Sequence, residues 1–145
     1  MVLSFKEYFP NGKPTLFVSK IIYGALKDEP GIQMPTPPKI HTIRAGERWK
    51  PGDKIHMATG VRTKNYYCFN TLYPELQTVV SVQKIDIQNQ FDDRFGVGVD
   101  GRALKPVEIE ELARNDGFDT VDDFWDWFKY QEFTGQIIHW TDKKY

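Results

Sequence analysis

Cysteine is nearly absent. Cys68 stands alone, which excludes an internal disulfide and any cysteine-built zinc site. No stretch approaches the roughly 18 apolar residues of a membrane span. The first residues lack the basic-then-apolar pattern of a secretory leader. His41, His56 and His139 show no metal-ligand spacing, and there is neither a phosphate-cradling glycine loop nor a Gly-x-Ser-x-Gly turn. Neither sign of charge is in marked excess, with a net of −1, so the whole molecule is no simple polycation for coating nucleic acid. These absences predict no metal, no cofactor and no membrane partner. They lead us to expect a soluble, cytoplasmic protein in a reducing compartment.

Aromatic side chains are plentiful. The 145 residues include 10 Phe, 7 Tyr and 4 Trp, with 40% apolar and 27% charged residues overall. That is enough bulky apolar surface for a packed core, and it excludes disorder along the whole chain. The length predicts a single domain over residues 1–145.

The small net charge hides a division. From Lys39 to Lys64, seven basic residues face only Glu47 and Asp53, a net of +5. From Val107 to Glu132, nine acidic residues face Arg114 and Lys129, a net of −7. Two solvated faces that partly neutralise each other would account for this. So would a basic surface directed at a phosphate-bearing partner.

Periodicity and turn residues predict the elements. A short strand at Leu3–Phe5 precedes a turn at Pro10-Asn11-Gly12, and a helix follows over Thr15–Lys27. Residues 30–38 contain four prolines and predict an extended surface loop. Lys39–Arg44 reads as a short strand, Lys54–Thr59 as another, and Thr78–Ile87 as the strongest. Gly60–Asn70 reads as a basic, aromatic loop with room for partial strand pairing. Phe95–Val99, Asp100-Gly101 and Arg102–Leu104 form a hairpin pattern. Pro106 opens a helix through Asn115, which Asp116-Gly117 ends. Asp119 is expected to cap a further helix, Gly135 to break it, and Gln136–Thr141 to form the last strand. The expected core is Phe17, Ile21, Ile43, Ile55, Val80, Val82, Ile85, Leu112, Phe124, Trp127, Phe128, Ile137 and Trp140. Short strands with few helices suggest an α+β fold built on a small mixed β-barrel, closed by the C-terminal strand.

Three residue groups can carry chemistry. The first is Lys39-x-x-Thr42-x-Arg44. A threonine hydroxyl is a weak nucleophile without a base in reach, and lysine serves as that base only if its pKa is depressed. Arg44 can supply a depressing charge or bind an anionic group. In a regular strand Lys39 and Thr42 point to opposite faces, so they converge only if Lys39 precedes the strand. The second is the 60–69 loop, where Arg62, Lys64, Tyr66 and Tyr67 can contact phosphate and stack a base. Tyrosines packed on the barrel are the plain alternative. The third is Asn115-Asp116-Gly117-Phe118-Asp119, where Asp116 is either an acid–base group or an exposed helix-end aspartate.

Together these segments resemble the ASCH domain family of the PUA-like superfamily. The resemblance rests on Lys39-Ile-His-Thr-Ile-Arg44, Arg48-Trp-Lys-Pro-Gly-Asp-Lys-Ile55, Val80-Ser-Val-Gln-Lys-Ile85 and Glu111-Leu-Ala-Arg-Asn-Asp-Gly-Phe-Asp119, followed by Phe124. It covers about residues 15–141. It implies a PUA-like mixed β-barrel with peripheral helices, a cleft between them, and RNA binding. One branch, the small N4-acetylcytidine amidohydrolases, has a Lys-x-x-Thr-Ile-Arg motif that falls on Lys39, Thr42, Ile43 and Arg44. In that branch the Lys is regarded as base, the Thr as nucleophile and a Glu as proton donor; Asp116 stands in the place of the Glu. The proline-rich stretch 30–38 and the added length around Gly60–Leu76 also depart from that branch.

The leading expectation is therefore binding of RNA or a modified nucleoside in a cleft, with Arg44, Arg62, Lys64 and Tyr66 as contacts. A second is amide hydrolysis of an acylated nucleoside by Lys39, Thr42 and Asp116. A third is a non-enzymatic interaction module whose partner surface is the extended Pro35–Pro38 segment.

Overall fold

The protein is described by a computed structural model covering residues 1–31, 37–89, 95–128 and 132–145. Pro35 and Thr36 of the Pro35–Pro38 surface lie outside the described residues.

The described residues have mixed α+β content in two sheets and three α-helices. Strands β1 (Val2–Ser4), β3 (His56–Thr59) and β4 (Tyr67–Cys68) form a three-stranded sheet in the order β1-β3-β4. β1 runs parallel to β3, and β4 antiparallel to it. The second sheet is antiparallel and runs β2-β8-β5-β6-β7. Its strands are β2 (His41–Ala45), β5 (Ser81–Asn89), β6 (Phe95–Val99), β7 (Arg102–Ala103) and β8 (Glu132–His139). The sheets meet at a corner where Lys54 and Thr78 bridge and Ile55 N donates to the Gln77 carbonyl at 2.9 Å. Among the described residues the ladder does not close into one barrel, and β2 and β7 remain the edges of the larger sheet.

Three helices complete the fold: α1 (Phe17–Ala25), α2 (Pro106–Asn115) and α3 (Val121–Trp127). α2 has the expected bounds because Pro106 suits the first helical position. Glu108 strengthens that start by accepting the Lys105 N–H at 3.0 Å. The hairpin between β6 and β7 also forms where its turn residues put it. Asp100 and Gly101 adopt φ of 50° and 80°, the left-handed pair that a tight hairpin requires.

Three expectations are corrected. Val80 is 45% exposed and Val82 only half-buried, while Val79, Ser81, Gln83, Ile85 and Ile87 form the buried face of β5 and its approach. The strand was legible but its inner face was not, because polar Ser81 and Gln83 lie on it. Gln83 is tolerated there because its amide is fully engaged by His139, Tyr145 and Asp100. Asp119 is not the cap of α3. Thr120 holds that position, its hydroxyl accepting from Asp123 N at 3.1 Å, and Asp119 pairs with Lys20 at 3.0 Å. Finally, Gly135 lies within β8 rather than ending a helix. A Cβ there would collide with the Arg44 carbonyl of the neighbouring strand, so the glycine permits close approach between β2 and β8.

Along β2, His41 pairs in register with His139 and Ile43 with Ile137 of β8, and His41 Nδ1 lies 3.5 Å from Asp116 Oδ1 at the end of α2. Arg44 Nη2 reaches β1 and donates to the Ser4 carbonyl at 2.5 Å. Phe9, Phe17, Phe118 and Trp127 pack edge-on or tilted around one another, with centroids 5.7–6.3 Å apart. Each such pair contributes roughly 0.5–1.5 kcal/mol beyond its buried area. Trp127 is half-buried there rather than a full core residue. The remaining expected core positions are buried.

Candidate functional site

Lys39 precedes β2, as convergence with Thr42 requires. Its N–H donates to the Lys20 carbonyl at 3.2 Å, and Ile40 N donates to the Asn115 carbonyl at 2.9 Å. These bonds tie the segment after Pro38 between α1 and the end of α2. The Lys39 side chain then runs inward and is 2% exposed. Its Nζ donates to Asp116 Oδ1 at 2.8 Å and to the Asp116 carbonyl, and lies 4.7 Å from the centre of the Phe17 ring.

Asp116 is only 4% exposed, so the plain alternative of an exposed helix-end aspartate is excluded. It caps α2, and Gly117 follows with φ +95°. That turn directs both the carboxylate and the carbonyl of Asp116 at Lys39. Lys20, also 2% exposed, holds the next carbonyl, that of Gly117, at 2.6 Å. Two buried lysines therefore anchor the 116–119 loop.

Burial depresses the Lys39 pKa to about 8, against the opposing pull of Asp116, with Arg44 and Lys20 adding to the depression. Roughly a tenth of the amines are then neutral at pH 7. Burial by itself pushes the Asp116 carboxyl up. Lys39 and His41 together outweigh it and hold the group below the ordinary aspartate range. Asp116 is thus an ionised acceptor at neutral pH, and it is not poised to donate a proton.

A cavity of about 120 Å³ opens beside this pair, and its wall includes Lys39, Thr42, Arg44 and Asp116. Aromatic Phe5, Phe17, Phe118, Trp127 and Phe128 supply most of the remaining wall. Thr42 is 4% exposed and lines the cavity. Both Lys39 hydrogen bonds go to Asp116 and none to Thr42. Arg44 stacks 5.2 Å from the Phe5 ring centre, and its Nε has no hydrogen-bond partner among the described residues. The cavity therefore offers cationic donors, one carboxylate and one hydroxyl between aromatic faces.

Arg62, Lys64 and Tyr66 do not line the cavity. All three are exposed on the loop after β3, Tyr66 at 49%. Thr63 shapes that loop by donating to the Gly60 carbonyl at 2.7 Å. The parallel register of Ser4 with Ala58 brings the loop out at the same end of the sheet as Ser4, Phe5 and Lys6, three residues of the cavity wall. The structure thus gathers Lys39, Thr42, Arg44 and Asp116 around one space, and the basic loop leaves the smaller sheet at the end where Ser4, Phe5 and Lys6 join the cavity wall.

Sequence reasoning missed His41, which it treated as an ordinary strand residue. The ring is fully buried with Nδ1 3.5 Å from Asp116 Oδ1. The i, i+2 spacing of Lys39 and His41 was a usable signal, since alternate residues share a face. The aromatic walls were visible only as core candidates or not at all. Among the described residues no three His, Cys, Asp or Glu side chains form a metal-holding group, and no helix is long and apolar enough to cross a membrane. Comparison with protein-family models, with curated proteins and with solved structures finds no match for this chain.

Proposed function

We propose that this is an ASCH-type domain with a PUA-like arrangement of its two sheets, and that it binds RNA or a modified nucleoside in the Lys39–Asp116 cavity. One observation carries the reading. A small pocket with polar Lys39, Thr42, Arg44 and Asp116 and aromatic walls opens at the sheet end where the Arg62–Tyr66 loop emerges. Its volume of about 120 Å³ is below the roughly 300–1,000 Å³ of a drug-sized pocket. It suits one ring or acyl group, with the remaining nucleotides outside. Arg62 and Lys64 then meet phosphates, Tyr66 stacks a neighbouring base, and Arg44 contacts the inserted group. The reading is of a cytoplasmic protein.

The test is titration of short labelled single-stranded RNAs, with and without an acylated cytidine, followed by fluorescence anisotropy and by intrinsic tryptophan emission. Binding is expected to weaken steeply with salt and to be lost in Arg44→Ala. Absence of binding even at low salt overturns the reading.

The depressed pKa of Lys39 favours a second reading, an amide hydrolase acting on an acylated nucleoside. Neutral Lys39 would take the proton of Thr42 as the hydroxyl oxygen attacks the carbonyl. The same ammonium would return that proton to the leaving amine as the C–N bond breaks, since Asp116 is held ionised. Neutral Lys39 would then take a proton from the water that hydrolyses the Thr42 ester, releasing the acid and restoring the hydroxyl. Asp116 would then orient Lys39 rather than act as the acid. Release of cytidine from N4-acetylcytidine should rise with pH through about 8 and vanish in Lys39→Ala and Thr42→Ala. Full activity in Thr42→Ala sinks this mechanism.

A further inference from the structure

We propose that Tyr145 is a positioning residue for the Lys39–Asp116 pair. Its hydroxyl donates to His41 Nε2 and thereby fixes the His41 hydrogen on Nδ1, facing Asp116 Oδ1.

The geometry begins with Gln83, which accepts the Tyr145 N–H at 2.9 Å and donates to the Tyr145 carbonyl oxygen at 2.8 Å. This two-point clamp sets the tyrosine ring beside two imidazoles, 5.4 Å from the His41 centroid and 6.0 Å from that of His139. The Tyr145 Oη lies 2.8 Å from His41 Nε2 and accepts from Asn115 Nδ2, also at 2.8 Å. A phenol has one hydrogen to give. With the Asn115 amide already donating, that hydrogen goes to His41 Nε2. Burial holds Tyr145 protonated and His41 neutral, so the single ring hydrogen of His41 lies on Nδ1. The opposite end of the ring agrees. Nδ1 faces the Asp116 carboxylate at 3.5 Å, where a lone pair would be repelled and an N–H is favoured. At that separation the contact is a charge–dipole interaction rather than a full hydrogen bond.

Lys39 and His41 thus address the same oxygen, Asp116 Oδ1. The His41 N–H draws on negative charge that Lys39 would otherwise have to itself, which loosens the hold of Lys39 on its proton. The charged and titratable groups facing this cluster are Arg44 and Lys20 towards Lys39, Lys143 and His139 towards His41, and Glu111 and Lys143 towards Tyr145. None of these charges moves when the Tyr145 hydroxyl is removed. His139 provides an internal contrast. Its Nε2 meets Gln83 Oε1 at 3.0 Å, an oxygen that also accepts the Tyr145 N–H. His139 therefore carries its hydrogen on Nε2, the opposite tautomer to its neighbour.

The significance of the proposal rests on the cavity being a ligand site, but its readouts belong to the ligand-free protein. Either idea can therefore fail alone. The experiment is long-range ¹⁵N–¹H NMR of histidine-labelled protein, with a pH titration of the Lys39 side chain. Wild type is expected to show His41 as the Nδ1–H tautomer and His139 as Nε2–H. In Tyr145→Phe the His41 signals should shift towards a tautomer mixture, and the Lys39 midpoint should move upward. An Nε2–H His41 in wild type overturns the proposal without any variant, so it stays decidable if Tyr145→Phe does not fold. A Lys39 midpoint that is unchanged or lower in a folded Tyr145→Phe also overturns it.

Discussion

Gly117 leaves the space through which Lys39 reaches Asp116. A Cβ on Gly117 would sit 3.0 Å from Lys39 Cδ and 2.9 Å from a ring carbon of Phe17. The same glycine has φ +95°, a conformation that other residues adopt only at a cost. Gly117→Ala is expected to destabilise the fold by about 2–4 kcal/mol, combining backbone strain with overpacking. Gly46→Ala is the control, since Gly46 has φ +83° but open space where its Cβ would point. It should cost only about 1–2 kcal/mol. Equal losses in urea unfolding would show that the Lys39 contact does not matter.

The charge of Lys39 should be readable in stability. Its folded pKa of about 8 lies below the ordinary 10.5, so between these values the unfolded chain binds more protons than the folded one. Stability then rises with pH across that window. The expected gain between about pH 8 and pH 9.5 is about 2 kcal/mol. Tyr145 works in the opposite direction above about pH 10, because burial keeps it protonated in the folded state. The double variant Lys39→Met/Asp116→Asn should lose the rise. Denaturant midpoints at several pH values provide the measurement, and parallel pH profiles for the two proteins would contradict the depressed pKa.

Thr120→Ala should cost about 1 kcal/mol, the usual worth of an N-cap hydroxyl. Asp119→Ala acts differently, by removing the acidic partner of buried Lys20. Its loss should grow smaller at high salt, which screens an ion pair whose carboxylate is exposed, whereas that of Thr120→Ala should not change. Thermal unfolding of both variants at low and high salt separates the two roles.

RNA affinity should divide between the loop and the cavity. Arg62→Ala and Lys64→Ala are each expected to reduce the slope of log affinity against log salt by about 0.7, the contribution of one phosphate on a single strand. Tyr66→Ala should lower affinity by about 1–3 kcal/mol and leave the slope alone, because stacking releases no counterions. A salt slope untouched by both basic-loop variants would remove that loop from the interface.

The sequence by itself determined the features that depend on neighbouring residues. Pro106 and the Asp100-Gly101 pair placed a helix and a hairpin, because φ restriction and left-handed turns are properties of one or two residues. Alternation marked β5 as a strand, and the proline pair before Lys39 made it plausible that Lys39 precedes β2. The Lys39, Thr42, Arg44 and Asp116 candidates were also legible as residue types with suitable chemistry. Tertiary structure decided their relationships. Whether Val79 or Val80 faced inward depended on partners for buried Gln83 that come from His139 and Tyr145, distant in sequence. Gly135 belonged in a strand because another strand crosses close to it. Asp116 became an ionised, buried acceptor rather than an acid because Lys39 and His41, distant in sequence, converge on it. Burial and pKa are set by whatever packs within a few ångströms, and that neighbourhood comes into being only when β2, α2 and the 141–145 segment fold against one another.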